Sequence, residues 1–177
     1  GNLDVVSLLI NAGSDVDAAE KEKGQTALMW SVAQGHAEIA DLLIKNGADV
    51  GARSKIWYQL ENTAGNTNPS GNFKMAHGGS SAIMFAARIG NIDVAKVLLD
   101  SGSNVNDKAA SGVTVLTQAA HSGHQDLAIF LLERGADPNA IDSGYTALHA
   151  AVLRSEVDLV EALLEHGAII DTPVEHG

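Results

Sequence analysis

Glycines recur along this chain at a spacing of about 33 residues, and this periodicity constrains the fold more than any other feature. Within each unit, one glycine precedes another at a constant distance, in the pairs Gly35–Gly47, Gly90–Gly102 and Gly123–Gly135. A second glycine series consists of Gly24, Gly79, Gly112 and Gly144. Its first interval exceeds the next two by about 22 residues, which indicates one repeat period plus an insertion. The chain therefore reads as tandem repeats with one interruption.

The repeat boundaries follow from these glycines. We predict a single repeat domain over 1–177, with these parts: a half repeat at 1–20, repeats at about 21–54, 78–108, 109–140 and 141–172, and an insertion at 55–77. The first helix, at 2–11, would then have no preceding partner helix. We therefore expect this chain to be a piece of a longer array, with further repeats or domains beyond one or both ends.

Each repeat is predicted to form two short helices. A Ser or Thr follows the second-series glycine, and its hydroxyl can accept a hydrogen bond from the first helical turn. Leu, Val and Ile then recur at helical spacing, and a glycine ends each segment. The predicted helices lie near 2–11, 27–34, 37–46, 82–89, 92–101, 115–122, 125–134, 147–154 and 157–166.

A single helix pair cannot bury its own apolar face, but stacked pairs can. Alanine pairs in the first helices permit close helix packing, which explains how 4% aromatic residues suffice for a core. Trp30 and Phe85 occupy the same repeat position. We interpret both as core residues between the two helices, with a binding pair as the alternative.

The repeat pattern resembles that of the ankyrin family. Two segments carry the resemblance best: GQTALMWSVAQGHAEIADLLIKNGADV and GYTALHAAVLRSEVDLVEALLEHGA. It implies an all-α solenoid of helix-turn-helix units with hairpin loops. The family's Thr–His hydrogen bond is possible only between Thr146 and His149. Asn139 resembles hairpin asparagines that are hydroxylated in some family members, although we favour a hairpin hydrogen-bonding role.

What the resemblance implies about function is a protein-binding scaffold without chemistry. Family members generally bind proteins through hairpin tips and a concave face lined by the first helices. The positions left free on that face, by the family's register, are Gln25, Arg88, Val113, His121, Tyr145 and Arg154. We predict these as partner contacts.

Composition excludes several classes of function. The chain has no Cys, which rules out disulfides, thiol nucleophiles and Cys-ligated metals. Its net charge of −11 makes nucleic acid and anionic membranes poor partners. No apolar run approaches the ~20 residues of a membrane span. We expect a soluble protein and favour the cytoplasm, although the sequence does not name the compartment.

Signals for catalysis or a cofactor are weak. The sequence has no phosphate-binding loop and no nucleophile elbow. His121 and His124 are three residues apart, but the repeat register places His121 at a helix end and His124 in the following turn. The carboxylates fall mostly on the polar side of the second helices, where a solvated surface explains them. We predict no enzyme activity, no metal site and no cofactor.

The insertion, residues 55–77, is the one segment that the repeat does not explain. Trp57, Tyr58 and Phe73 lie in its flanks, and its middle, 62–72, is rich in Asn, Gly, Thr and Ser. Aromatic residues contribute much of the energy at protein interfaces. We predict that these three contact a partner and that the insertion packs over the groove of the adjacent repeats, with a mobile tip.

Three classes of function stay open at this point. The first is an interaction scaffold that binds a protein or peptide through the concave face and the 55–77 segment. The alternative is a regulatory or targeting domain of a larger multidomain enzyme or receptor. An enzyme that uses the insertion as a lid would require a pocket with convergent ionisable groups.

Overall fold

A computed structural model describes residues 1–62, 72–141 and 144–173; for Asn62, Asn72 and Phe73 it describes only the backbone. Nine helices and two strands lie within these ranges: α1 Leu3–Asn11, α2 Ala27–Ala33, α3 Ala37–Lys45, β1 Ile56–Asn62, β2 Asn72–Gly78, α4 Ala82–Ile89, α5 Ile92–Asp100, α6 Val115–Ser122, α7 Gln125–Glu133, α8 Ala147–Arg154 and α9 Val157–Glu165.

The predicted helices are confirmed to within one residue at each end. The first helices α2, α4, α6 and α8 pack successively into one layer, and α1, α3, α5, α7 and α9 form a second layer beside it. The hydroxyls of Thr26, Thr114 and Thr146 accept hydrogen bonds from the first turns of α2, α6 and α8, as expected of helix caps. The fold is therefore the predicted all-α solenoid.

The core runs as one continuous cluster through the stacked pairs. Leucines of the second helices, such as Leu98, Leu131 and Leu163, are fully buried. The alanine pairs of α4, α6 and α8 are also buried, which leaves room for neighbouring helices to approach closely. The core between the repeats is thus built mainly from Ala and branched aliphatic side chains, as the composition predicts, with Met29, Met84 and Phe85 added to them.

The insertion adds a two-stranded antiparallel ribbon that the helix pattern did not predict. β1 pairs with β2 from Ile56 opposite Gly78 to Asn62 opposite Asn72. The run Ile56–Trp57–Tyr58 is rich in residues that favour strands, which is the local reason for this structure. Among the described residues, none of the ribbon's hydrophobic side chains joins the core. The expected packing over the groove is therefore not seen there, and 63–71, the expected mobile tip, lies outside the described residues.

A ladder of hydrogen bonds joins successive turns between repeats. At three joints a side-chain oxygen of the earlier turn accepts a backbone N–H of the later one: Asp17 Oδ1 from Asp49 N (2.9 Å), Asn106 Oδ1 from Asp137 N (2.8 Å), and Asn139 Oδ1 from Ile169 N (2.8 Å). The hairpin role predicted for Asn139 is confirmed. Gly51 occupies the same position at the joint to the second repeat and cannot supply this bond.

Replacing Gly51 with Asn is expected to raise the free energy of unfolding by about 1 kcal/mol. A new Cβ would lie 3.2 Å from Asp49 Oδ1, which accepts a hydrogen bond from Gly51 N (2.8 Å), so this side chain must shift by a few tenths of an ångström. The Gly51 backbone is not in the left-handed region. Asn106 follows the same kind of turn, because its N–H also bonds the side-chain oxygen two residues earlier (2.9 Å). Urea denaturation of the two proteins checks the prediction.

Gly51→Ala is the matched control, because it reduces the freedom of the unfolded chain without offering an oxygen. If the Asn variant is no more stable than the Ala variant, the Asn side chain has not formed the hydrogen bond that is missing at this joint.

A polar cluster bridges the joint at which the ladder is interrupted. Arg53 donates to the carbonyls of Gly79 (2.7 Å) and Lys108 (2.9 Å), and its guanidinium pairs with the Asp107 carboxylate. The Ser81 hydroxyl donates to the same carboxylate, which is almost fully buried. Arg53 thus connects the turn before the ribbon with the turn after it.

Candidate functional site

The last helix pair carries an apolar groove. A cavity of about 950 Å³ lies against α8 and α9. Its floor and walls are mostly aliphatic, and they include Leu148, Val152, Val160 and Leu164. A concave apolar site with a few polar groups at its rim is the usual form of a binding site.

Three residues predicted as partner contacts meet at this groove, namely His121, Tyr145 and Arg154. The rings of His121 and Tyr145 are 6.1 Å apart, edge to face. The Arg154 guanidinium donates to the His121 carbonyl (3.3 Å) and to Glu156 Oε1 (3.1 Å). The end of α6, the turn before α8 and the end of α8 therefore supply one rim.

Tyr145 directly precedes the capped start of α8. Thr146 N donates to His149 Nδ1 (3.0 Å), and the Thr146 hydroxyl accepts from the His149 backbone, which closes a capping box. The predicted Thr–His contact is thus confirmed. Burial raises the pKa of the Tyr145 hydroxyl, so this group stays neutral at physiological pH.

The other predicted contacts on the helix layer do not line this groove. Gln25 is half-buried before α2, where its N–H donates to Glu20 Oε1 (3.1 Å). This bond is the main cause that holds the pKa of Glu20 below its ordinary value. Arg88 is exposed on α4 over the Phe85 ring, and Val113 is half-buried before α6. These residues lie on earlier repeats of the stack.

The ribbon holds the remaining predicted contacts. Tyr58 is 65% exposed, whereas Trp57 is 37% exposed and stacks on His77 with ring centroids 5.7 Å apart. The side chain of Phe73 lies outside the described residues. Ile56 and Leu60, which the sequence analysis did not single out, are 56% and 65% exposed on the same strand. Their alternation with Trp57 and Gln59 was the signal that could have identified them.

The interpretation of Trp30 as a core residue is wrong. Phe85, at the equivalent position, is 8% exposed, but Trp30 is 52% exposed. The difference arises because α4 packs between α2 and α6, while α2 has an extensive first-helix contact only with α4 among the described residues. The indole of Trp30 consequently has no neighbouring first helix to cover it.

The two histidines with ligand spacing do not form a site. His124 Nε2 bonds the Arg88 carbonyl (2.9 Å), which is a structural role in the turn before α7. In the part of the chain that the structure describes, no group of three or more His, Asp or Glu side chains could hold a metal ion.

A sequence profile described as ankyrin repeats (3 copies) matches this chain over residues 1–54, 58–142 and 83–174. The chain belongs to the ankyrin-repeat family. Ankyrin repeats are generally protein-interaction modules and carry no catalytic machinery of their own. The second ankyrin match begins at residue 58 and so covers all but the first three residues of the insertion, but the ribbon is additional to the helix-turn-helix unit.

Several relatives contain a similar ankyrin region. One relative is ZDHHC13 from Danio rerio, whose name describes a palmitoyltransferase. The aligned region covers 98% of this chain and 24% of ZDHHC13, and 30% of its residues are identical. A second relative is an ankyrin repeat-containing protein from Treponema pallidum. The aligned region covers 78% of this chain and 39% of that protein, with 32% identity. A third relative is the E3 ubiquitin-protein ligase KEG from Arabidopsis thaliana. The aligned region covers 84% of this chain and 8% of KEG, with 29% identity. The chain therefore spans well under half of each of these ankyrin proteins.

The ankyrin helices are short. Over 1–62, 72–141 and 144–173, no helix is both long enough and apolar enough to cross a membrane.

Proposed function

We propose that this chain is a non-catalytic scaffold that binds a protein or peptide partner through its concave face and the 55–77 segment. The observation that carries this proposal is the cluster of His121, Tyr145 and Arg154 on the first-helix layer. It forms the rim of an apolar groove of about 950 Å³ that α8 and α9 leave uncovered at the end of the described stack. Aromatic and Arg side chains around an apolar pocket are typical energetic centres of protein interfaces. Gln25, Arg88 and Val113 would extend the contact along the earlier repeats, within one domain over 1–177.

The test is affinity capture with the intact protein, followed by binding measurements on the purified captured partner. His121→Ala and Arg154→Ala remove exposed side chains from the groove rim. Each is expected to weaken binding by at least about tenfold, or ~1.4 kcal/mol. Isothermal titration calorimetry gives the dissociation constants.

Lys96→Ala is the matched control, because Lys96 is exposed on α5 and does not line the groove. A protein that captures no partner contradicts the proposal. A partner whose affinity is unchanged in both rim variants shows that the groove is not the binding surface.

A second candidate function is a regulatory or targeting region of a larger enzyme or receptor. It is favoured by the relatives, since this chain matches only 24% of ZDHHC13 and 8% of the ligase KEG. The full-length reading frame separates the two functions, because a catalytic segment on the same polypeptide supports the second.

A further inference from the structure

The ribbon has two chemically different faces. Side chains alternate along a strand, so Ile56, Tyr58 and Leu60 share one face of β1, and Trp57 and Glu61 share the other. Residues directly opposite on β2 lie on the same face as their partners. Lys74 therefore belongs with Leu60, and His77 belongs with Trp57.

The Trp57 face is partly covered by contacts within the protein. Lys23, from the turn before α2, places its ammonium 4.0 Å from the centre of the Trp57 ring. His77 stacks on Trp57 at an interplanar angle of 18°, and its Nε2 is 3.1 Å from Glu61 Oε1. At the base, Lys55 N donates to the Lys23 carbonyl (2.7 Å). These contacts fix how the ribbon is presented.

The opposite face is open and apolar. Ile56, Tyr58 and Leu60 are each more than half exposed, and we call these three residues the ribbon stripe. A contiguous exposed apolar patch of a few hundred Å² is often a functional surface in a folded protein. Because the other face holds the ribbon in place, the ribbon stripe is presented to solvent in a defined orientation.

The size of the ribbon stripe argues against a second copy of this chain as its occupant. Three side chains of this exposure offer on the order of 400 Å² of surface. A stable protein–protein interface needs about 800 Å² from each partner. The ribbon stripe is therefore suited to a short segment of a larger partner rather than to a symmetric dimer.

The geometry favours a helical segment. An extended peptide laid on a sheet face would leave its backbone N–H and C=O groups unpaired against apolar side chains, which is costly. A helix satisfies its own backbone. Helix positions four residues apart rise by about 6 Å, which matches the spacing of about 6.8 Å between alternate residues of a strand.

The charge beside the ribbon stripe indicates which charge a partner should carry there. Lys74 is exposed at the Leu60 end of the ribbon stripe, in a protein whose net charge is −11. A cationic partner would be attracted to most of the surface but repelled at this point, whereas a carboxylate near Leu60 would pair with Lys74.

We infer that the ribbon stripe docks an amphipathic helix of a partner protein, with apolar residues four apart and a carboxylate facing Lys74. This inference rests on the proposed function as a protein-binding scaffold. It assigns one contact to the ribbon, separately from the groove at α8 and α9.

A library of helical peptides provides the probe. Phage-displayed peptides of about 18 residues, roughly 27 Å long as helices, are randomised along one face and selected on the intact protein. Synthetic versions of the selected peptides are then measured by fluorescence anisotropy and circular dichroism. We expect apolar residues at positions i, i+4 and i+8, an acidic residue beyond them, and a gain of helicity on binding.

The variants test both features of the stripe. Tyr58→Ala should weaken the selected peptide at least tenfold, whereas Gln59→Ala, its exposed neighbour on the opposite face, should leave the affinity unchanged. Lys74→Glu should weaken the acidic peptide and strengthen the same peptide carrying Lys in place of its carboxylate. A loss of folding would not produce this reversal.

Four results would overturn the inference. They are the absence of any selected helix, peptides that bind as added strands, binding that ignores Tyr58→Ala but is lost in His121→Ala, and Tyr58-dependent binding to phosphatidylcholine vesicles. The third result leaves the proposed scaffold function intact and moves the contact to the groove, so the two proposals fail separately.

Discussion

Leu131→Ala is expected to lower the free energy of unfolding by about 2–5 kcal/mol. Leu131 is fully buried on α7, inside the cluster that joins the stacked repeats. Its truncation removes apolar contacts and leaves a cavity that the flanking helices fill only partly. Equilibrium urea denaturation followed by circular dichroism measures the change.

Glu133→Ala on the same helix is the control, because Glu133 is exposed and its loss should change stability by no more than about 0.5 kcal/mol. An equally small effect of Leu131→Ala would contradict the position of α7 in the stack.

Arg53→Ala is expected to lower the free energy of unfolding by about 2–3 kcal/mol. The substitution leaves the buried Asp107 carboxylate without its cationic partner, and breaking a fully buried pair costs about 3–5 kcal/mol. The side chain of Arg53 is itself 48% exposed, so water compensates part of that loss. Two carbonyls, those of Gly79 and Lys108, also lose their donors.

A double-mutant cycle with Asp107→Ala separates the pair from the other contacts of Arg53. We expect the sum of the two single effects to exceed the double effect by at least about 0.5 kcal/mol. Strict additivity would mean that the ion pair contributes nothing. Arg53→Lys should be intermediate, because an ammonium keeps the charge but cannot reproduce the planar fork.

The helices and their stacking could be predicted from the sequence because their signals are local. Glycine at Gly90 and Gly123 ends α4 and α6 in the left-handed conformation, and Thr114 caps α6 three residues before the N–H it binds. Each signal lies within a few residues of the structure that it specifies. Repetition then presents the same signal several times, which removes the ambiguity of a single helix pattern.

The polar cluster and the exposure of Trp30 could not be predicted in this way. Arg53 and Asp107 lie on opposite sides of the insertion and occupy different positions of the repeat, so periodicity relates neither to the other. The burial of Phe85 and the exposure of Trp30 depend on which helices flank α4 and α2. Both residues occupy the same position within the repeat, so it is the position of the repeat within the stack that determines whether the side chain is buried.

The candidate site was predicted in part. The family register identified His121, Tyr145 and Arg154, and the structure brings them to one rim. It did not predict the aliphatic groove beneath them, which depends on how α8 and α9 pack. In the insertion, aromatic composition alone predicted a contact at Tyr58. Ile56 and Leu60 share its face only because the segment is a strand, and the helical repeat pattern carries no signal for a strand.

Hydrogen bonds join the two points at which the insertion leaves and rejoins the repeat. Ser54 N donates to the Ser80 carbonyl and Ser80 N to the Ser54 hydroxyl, both at 3.0 Å, and Gly79 N lies 3.4 Å from the Lys55 carbonyl. We therefore expect the helices on either side to tolerate changes in what lies between these residues, because the entropy of closing a longer loop grows slowly with length. A segment of different length or sequence, joined at the same two points, should leave the register of the array unchanged. The same closure makes it a natural grafting point at which a protein engineer could exchange one recognition hairpin for another.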